Sequence, residues 1–185
     1  FFKRWQALWM LMGLSTGLLF FFLARTMLEY SAGSKIVVRN FYGGLRVNDQ
    51  GESDEEMLRK LRHGAITHGT QFLAPDRRRQ PTTYFCRDSG VGLALTQANS
   101  VKQALRVGII GLGAGTLAAY GRAGDYYRFY EINPLVIDLA DREFTYLKDN
   151  PARTEVELGN ARLSLEREQP NQFDVFVVDA FRSEE

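Results

Sequence analysis

Four stretches put residues capable of chemistry at the ends of apolar runs. In "VGIIGLGAGTLAAYG", Gly111, Gly113 and Gly115 form G-x-G-x-G. Glycine lets the backbone turn tightly and approach a ligand where a Cβ would collide. The run therefore reads as a strand turning into a helix around a nucleotide. Glu131 ends "RFYEI", where a carboxylate accepts hydrogen bonds from both ribose hydroxyls. Asn160 and Ala161 follow "TEVELG", an amide placed either to meet an adenine edge or to cap the helix "ARLSLE". Asp179 ends "FDVFVVD". A glycine loop, a carboxylate, an amide and a second carboxylate at successive strand ends favour an adenosyl pocket. A dinucleotide fingerprint asks for its third glycine at the position of Thr116, which disfavours a dehydrogenase.

Strands alternating with helices must position these groups. From residue 104 on, "LRVGIIGL", "DYYRFYEI", "TEVELG" and "FDVFVVDAF" read as strands. Pro134 opens a helix through Lys148, with Leu135, Val136, Leu139, Ala140 and Phe144 at helical spacing. Such alternation means a parallel sheet with right-handed crossovers, and ligands at the carboxyl ends of its strands. Before it, residues 35–47 and 58–73 alternate and break at glycines, as two hairpins do. Asp88 caps a helix through "SGVGLALTQA". The expected order is a transmembrane anchor over 1–28, a small antiparallel β domain over 35–87, and a Rossmann-like adenosyl-binding domain over 88–185.

The anchor rests on residues 5–24, which carry no charge and are long enough for a bilayer. Lys3, Arg4 and Arg25 flank this segment, and Trp5 and Trp9 suit the interface. A signal peptide or a buried helix fits less well, since the segment is long and has no polar face. With a formal net charge of +1 and no basic stripe interleaved with aromatics, the chain gives no case for nucleic acid. Arg77-Arg78-Arg79 reads as a solvated loop. The single cysteine, Cys86, excludes an internal disulfide and suits a reducing compartment. His63 and His68, in H-G-x-x-x-H-G, lack a partner at metal-ligand spacing and read as structural or pocket-edge residues, so no metal is expected. Both ends look cut, and a doubly wound sheet needs more strands than are present, so a fragment is expected.

"IIGLGAGT", "YEINP", "LGNARLSLE" and "FDVFVVDAF", preceded by "RNFYGGLRV", "HGAITHGTQF" and "PTTYF", together resemble the spermidine synthase (polyamine aminopropyltransferase) family, in particular its membrane-attached bacterial branch. The resemblance spans residues 36–181. It implies a small β domain before a methyltransferase-type Rossmann-like domain. It also implies transfer of aminopropyl from decarboxylated S-adenosylmethionine to putrescine or a similar amine, without metal. On that likeness Gly111, Gly113 and Gly115 line the nucleoside, Glu131 holds the ribose, Asn160 and Ala161 face the adenine, and Gln71 lines the cofactor pocket. Asp179 deprotonates or orients the amine, with Tyr84 beside it.

Three positions depart from the family pattern. Ala114 stands where the glycine loop usually carries an aspartate, Asn160 replaces another aspartate, and Arg182 replaces a further acidic residue for which Glu184 is a substitute. The second enzymatic reading is accordingly a methyltransferase using intact S-adenosylmethionine. The third is a catalytically silent adenosyl- or polyamine-sensing domain of a membrane protein. The implied setting is the inner or plasma membrane with the catalytic domain in the cytoplasm, and a homodimer is left open.

Overall fold

The computed structural model describes residues 2–179. Arg182 and Glu184 lie outside the described residues, as do the side chains of Lys3 and Arg4. The chain divides into two compact units, residues 1–34 and 35–185.

The first unit is one helix, α1 (Phe2–Ser31). At about 1.5 Å per residue its length exceeds the hydrocarbon core of a bilayer. The stretch Trp5–Glu29 is apolar enough to cross a membrane, and none of it is buried within the protein. Arg25 and Glu29 pair one turn apart at 2.8 Å, placing the first charges toward its end.

The second unit carries two sheets. The antiparallel sheet is β1 (Ile36–Asn40), β2 (Gly43–Gln50), β3 (Leu58–His63) and β4 (Ile66–Phe72), in that order. Period-two alternation buries Leu45, Val47 and Leu61 on one face. The register slips at Leu61/Arg62, where β4 carries one extra residue, His68. Helix α2 (Gly90–Val101) follows. Its cap is Ser89, not Asp88: the Ser89 hydroxyl accepts from the Gly92 N–H at 3.1 Å, one residue further along.

The parallel sheet contains β5 (Arg106–Ile110), β6 (Tyr126–Glu131), β7 (Arg153–Leu158) and β8 (Val175–Val178), in the order β7-β6-β5-β8. Succession runs outward from β5 through β6 to β7, then returns to the other side of β5. The switch point thus lies between β5 and β8, where open α/β sheets bind ligands. Ladder bonds continue one residue past the strands, from Gly111 N–H to Tyr130 O, Asp179 N–H to Ile110 O and Gly159 N–H to Glu131 O. They bring the four strand ends to one edge.

Two connections differ from expectation. The segment after the glycines is a 3-10 turn, Thr116–Tyr120, where a helix was expected. It stops at Gly121, where a Cβ would come within 2.1 Å of Asn150 Oδ1. So short a turn offers little dipole to a pyrophosphate. Helix α3 (Pro134–Glu143) starts as expected, with Asn133 Oδ1 accepting from Leu135 N–H, but ends before Lys148. Phe144 is extended there, and Gln71 Oε1 takes the Thr145 N–H at 2.9 Å, so the helical ladder cannot continue. Phe144 is still buried, which its apolar spacing did anticipate.

Candidate active site

The glycine loop is held from two sides by the protein itself. Gly111, Gly113 and Gly115 all have positive φ, at 94°, 54° and 80°, a region that side chains disfavour. A Cβ on Gly111 would lie 2.3 Å from the Asp179 carbonyl oxygen, and one on Gly113 would lie 2.3 Å from the His68 carbonyl oxygen. These glycines let the loop pass between the end of β8 and β4. The same His68 carbonyl accepts the Ala114 N–H at 3.3 Å. Ala114 is 1% exposed, against Gly69 of β4. The antiparallel sheet thus braces the loop through its bulge.

Glu131 closes the opposite side of the loop. Its Oε2 accepts the Leu112 N–H at 3.0 Å, and its Oε1 accepts the Asn133 N–H at 2.9 Å. The carboxylate ties the end of β6 to the glycine loop and to the start of α3. It is buried, with one backbone N–H on each oxygen. Asn133 Oδ1 also accepts from Asn40 Nδ2 at 2.7 Å, so β1 reaches this corner as well.

Asp179 stands across the switch point. Partial burial first, and the nearby Glu131 charge second, push its carboxyl up to about 6. Tyr84 feels the Asp179 charge: burial first and that charge second push its phenol up to about 12. At neutral pH Asp179 is therefore ionised, and Tyr84, within reach of its charge, keeps its proton. Tyr84 is 40% exposed and lies on the short turn Thr83–Phe85, tilted against Phe85 at 4.4 Å. Its neighbour Thr83 has φ 56°, unusual for a β-branched residue and a form of strain that gathers at functional sites.

The remaining expected residues take different positions. Asn160 is exposed, and its Oδ1 accepts the Leu163 N–H at 3.3 Å, capping α4 (Ala161–Arg167). The capping role weighed from sequence is thus in place, with Ala161 as the first helical residue. Gln71 is 2% exposed, and its amide donates to Arg78 O and Thr145 Oγ1 at 2.8 and 2.9 Å. Together with the Thr145 N–H bond this clamps β4 to the segment after α3. Of the arginine run, Arg78 pairs with Asp149 at 3.0 Å and Arg77 stacks 3.5 Å from the Phe72 ring centroid, so two of the three side chains are structural.

The His63 and His68 rings lie 5.5 Å apart, and burial first, then the neighbouring imidazole, lowers the His68 pKa. Among the described residues no three His, Cys, Asp or Glu side chains gather as metal ligands would. Sequence reasoning missed Asn133, Thr83 and the brace from β4. "EINP" carried a signal only for the first, as a helix cap.

A parallel sheet with a glycine loop at its switch point and carboxylates at the ends of two strands defines a Rossmann-like fold. The chain matches no protein-family model and no curated protein. Its fold is similar to that of a probable spermidine synthase from Corynebacterium glutamicum, with a TM-score of 0.62 and 16% identity, covering 80% of this chain and 53% of that one. It is also similar to the spermidine synthase from Thermotoga maritima, with a TM-score of 0.56 and 19% identity, covering 82% of this chain and 48% of that one. The chain spans about half the length of these structures, and at such identities the likeness is one of fold.

Proposed function

We propose that this chain is part of a membrane-anchored, spermidine synthase-like aminopropyltransferase. It would transfer the aminopropyl group of decarboxylated S-adenosylmethionine to a putrescine-like amine. The observation that carries this reading is Asp179, a half-buried carboxylate at the end of β8 whose pKa burial and the Glu131 charge raise. The fold shared with spermidine synthases supports it.

In the reaction the amine lone pair attacks the aminopropyl carbon next to the sulfonium. The carbon–sulfur bond breaks, its electron pair stays on sulfur, and methylthioadenosine leaves. The electrophile is supplied by the co-substrate, so the protein has to position the amine and accept its proton. A carboxylate with a pKa near 6 is ionised at neutral pH and basic enough for that transfer. Tyr84, still protonated, donates to the same carboxylate or to the amine's approach path. Glu131 holds the ribose while fixing the loop, Gly111, Gly113 and Gly115 form the floor under the nucleoside, and Asn160 with Ala161 lies toward the adenine. Gln71 acts from behind, by setting β4 against the loop. α1 anchors the enzyme in the inner or plasma membrane, with the catalytic part on the cytoplasmic side.

One observation favours a second reading. Ala114 is buried against Gly69, so the loop offers no carboxylate to a co-substrate's aminopropyl ammonium. Such a loop suits a methyltransferase that uses intact S-adenosylmethionine. Calorimetric titration of the full chain with methylthioadenosine, S-adenosylmethionine and its decarboxylated form separates the two. Tighter binding of the decarboxylated form supports the aminopropyltransferase, and preference for the intact form supports the methyltransferase. Absence of any adenosyl binding removes both.

A further inference from the structure

We infer that the outer face of the antiparallel sheet is a docking surface for the anionic headgroups of the bilayer that α1 enters. The face opposite Leu45, Val47 and Leu61 presents Arg39 on β1, Arg46 on β2, and Lys60 and Arg62 on β3. No Asp or Glu occupies a register position on this face of β1–β3, because Asp49 falls on the other face, paired with Arg59. Arg46 and Arg62 stand directly opposite each other across β2 and β3. Like charges at facing positions cost stability in a free sheet. The acceptors that fold back onto these side chains include neutral ones: Gly64 O for Arg46, Ala65 O for Arg62 and Gln50 Oε1 for Lys60. At Lys60 and Arg62 these neutral acceptors leave the positive charge in place, and guanidinium forks match phosphate oxygens.

Two further observations choose a membrane as the occupant. Only residues 32–35 separate α1 from β1. Fully extended, such a tether reaches only about 14 Å, so β1 is free to approach any bilayer holding α1 to within the range of about 8–10 Å over which surface charge acts. At the hairpin end of the same sheet, Phe41 is 96% exposed, with Tyr42 edge-on to it at 5.5 Å and the exposed Ile66 at the start of β4. Aromatic side chains beside cations are the composition of membrane-interface anchors. A second copy of the chain fits less well, since this face meeting itself would oppose cation to cation.

The inference rests on α1 lying in a membrane, and one experiment reads the two claims separately. Full-length protein is reconstituted in nanodiscs of phosphatidylcholine, with and without phosphatidylglycerol, and backbone hydrogen exchange is followed. Protection of α1 in both lipids reports the anchor. Exchange over residues 39–46 and 60–66 is expected to slow several-fold only where phosphatidylglycerol is present, and to recover in high salt. Arg39→Gln with Arg62→Gln is expected to abolish that difference while leaving α1 protected. Should the variant misfold, the salt titration of the unmodified protein decides the same question.

Equal exchange in the two lipids overturns the inference. So does protection that needs no lipid and grows with protein concentration, which would mark a second copy. If α1 enters neither disc, salt-sensitive flotation of the protein with phosphatidylglycerol vesicles still supports the surface, and failure to float overturns it.

Discussion

The ends of β6 and β8 each carry a carboxylate at the same edge of the sheet, and the surroundings of the two differ. Glu131 accepts a backbone N–H on each oxygen, from Leu112 and Asn133. It is fixed, and it fixes the loop in turn. Asp179 is half-buried with Glu131's charge nearby, and both influences push its pKa up to about 6. A carboxylate short of solvation is a stronger base than one in water. Under the proposed function Glu131 would be the scaffold and binding group, and Asp179 the proton acceptor.

The largest way to break this division is to neutralise the base. Asp179→Asn is expected to lower aminopropyl transfer by roughly 100- to 10,000-fold, measured as methylthioadenosine released. Next comes the loop on the β8 side. Gly111→Ala would put a methyl 2.3 Å from the Asp179 carbonyl at a φ of 94°. Strain and overpacking there should cost about 2–4 kcal/mol, read by denaturant unfolding. On the β6 side, Glu131→Gln leaves one of two backbone N–H groups facing an amide donor. A loss of about 1–3 kcal/mol in stability is expected, together with weaker methylthioadenosine binding. The same change removes a charge near Asp179, so the Asp179 pKa and the acidic limb of the rate profile should move to lower pH.

The smallest effect concerns stability against pH. Unfolded, Asp179 ionises near its ordinary value of 3.8, whereas folded it holds its proton to about 6. Between those values the folded state binds more protons, so stability falls as pH rises through the window. Asp179→Asn removes that loss. Its melting temperature should exceed that of the unmodified protein by a few degrees at about pH 7.5, and match it near pH 4. A variant equally or less stable at the higher pH would mean that Asp179 is not held in a poorly solvated place.

Much of this site was legible in the sequence where local patterns decide the outcome. Glycine spacing, strand alternation and a proline at a helix start act over a few residues, and they placed Gly111, Glu131 and Asp179 at strand ends. The illegible parts depend on residues distant in the chain. Helix α3 ends early because Gln71, on β4, captures the Thr145 N–H, which no helical period in residues 134–148 reveals. Gly113 is needed for the approach of His68 of β4, where sequence reasoning assigned it to a ligand. The influence of the Asp179 charge on Tyr84 likewise links a turn in the first half of the chain to the end of the last described strand.

The division of labour between the two carboxylates is tested most directly by methylthioadenosine release as a function of pH, with decarboxylated S-adenosylmethionine and putrescine. Unmodified protein and Asp179→Asn are compared, with methylthioadenosine affinity measured alongside. The account predicts a rate that rises through about pH 6 in the unmodified protein and is lost in Asp179→Asn, whose affinity for methylthioadenosine is little changed. An Asp179→Asn variant that turns over normally with the same pH profile, or that loses the nucleoside instead of the rate, would contradict it.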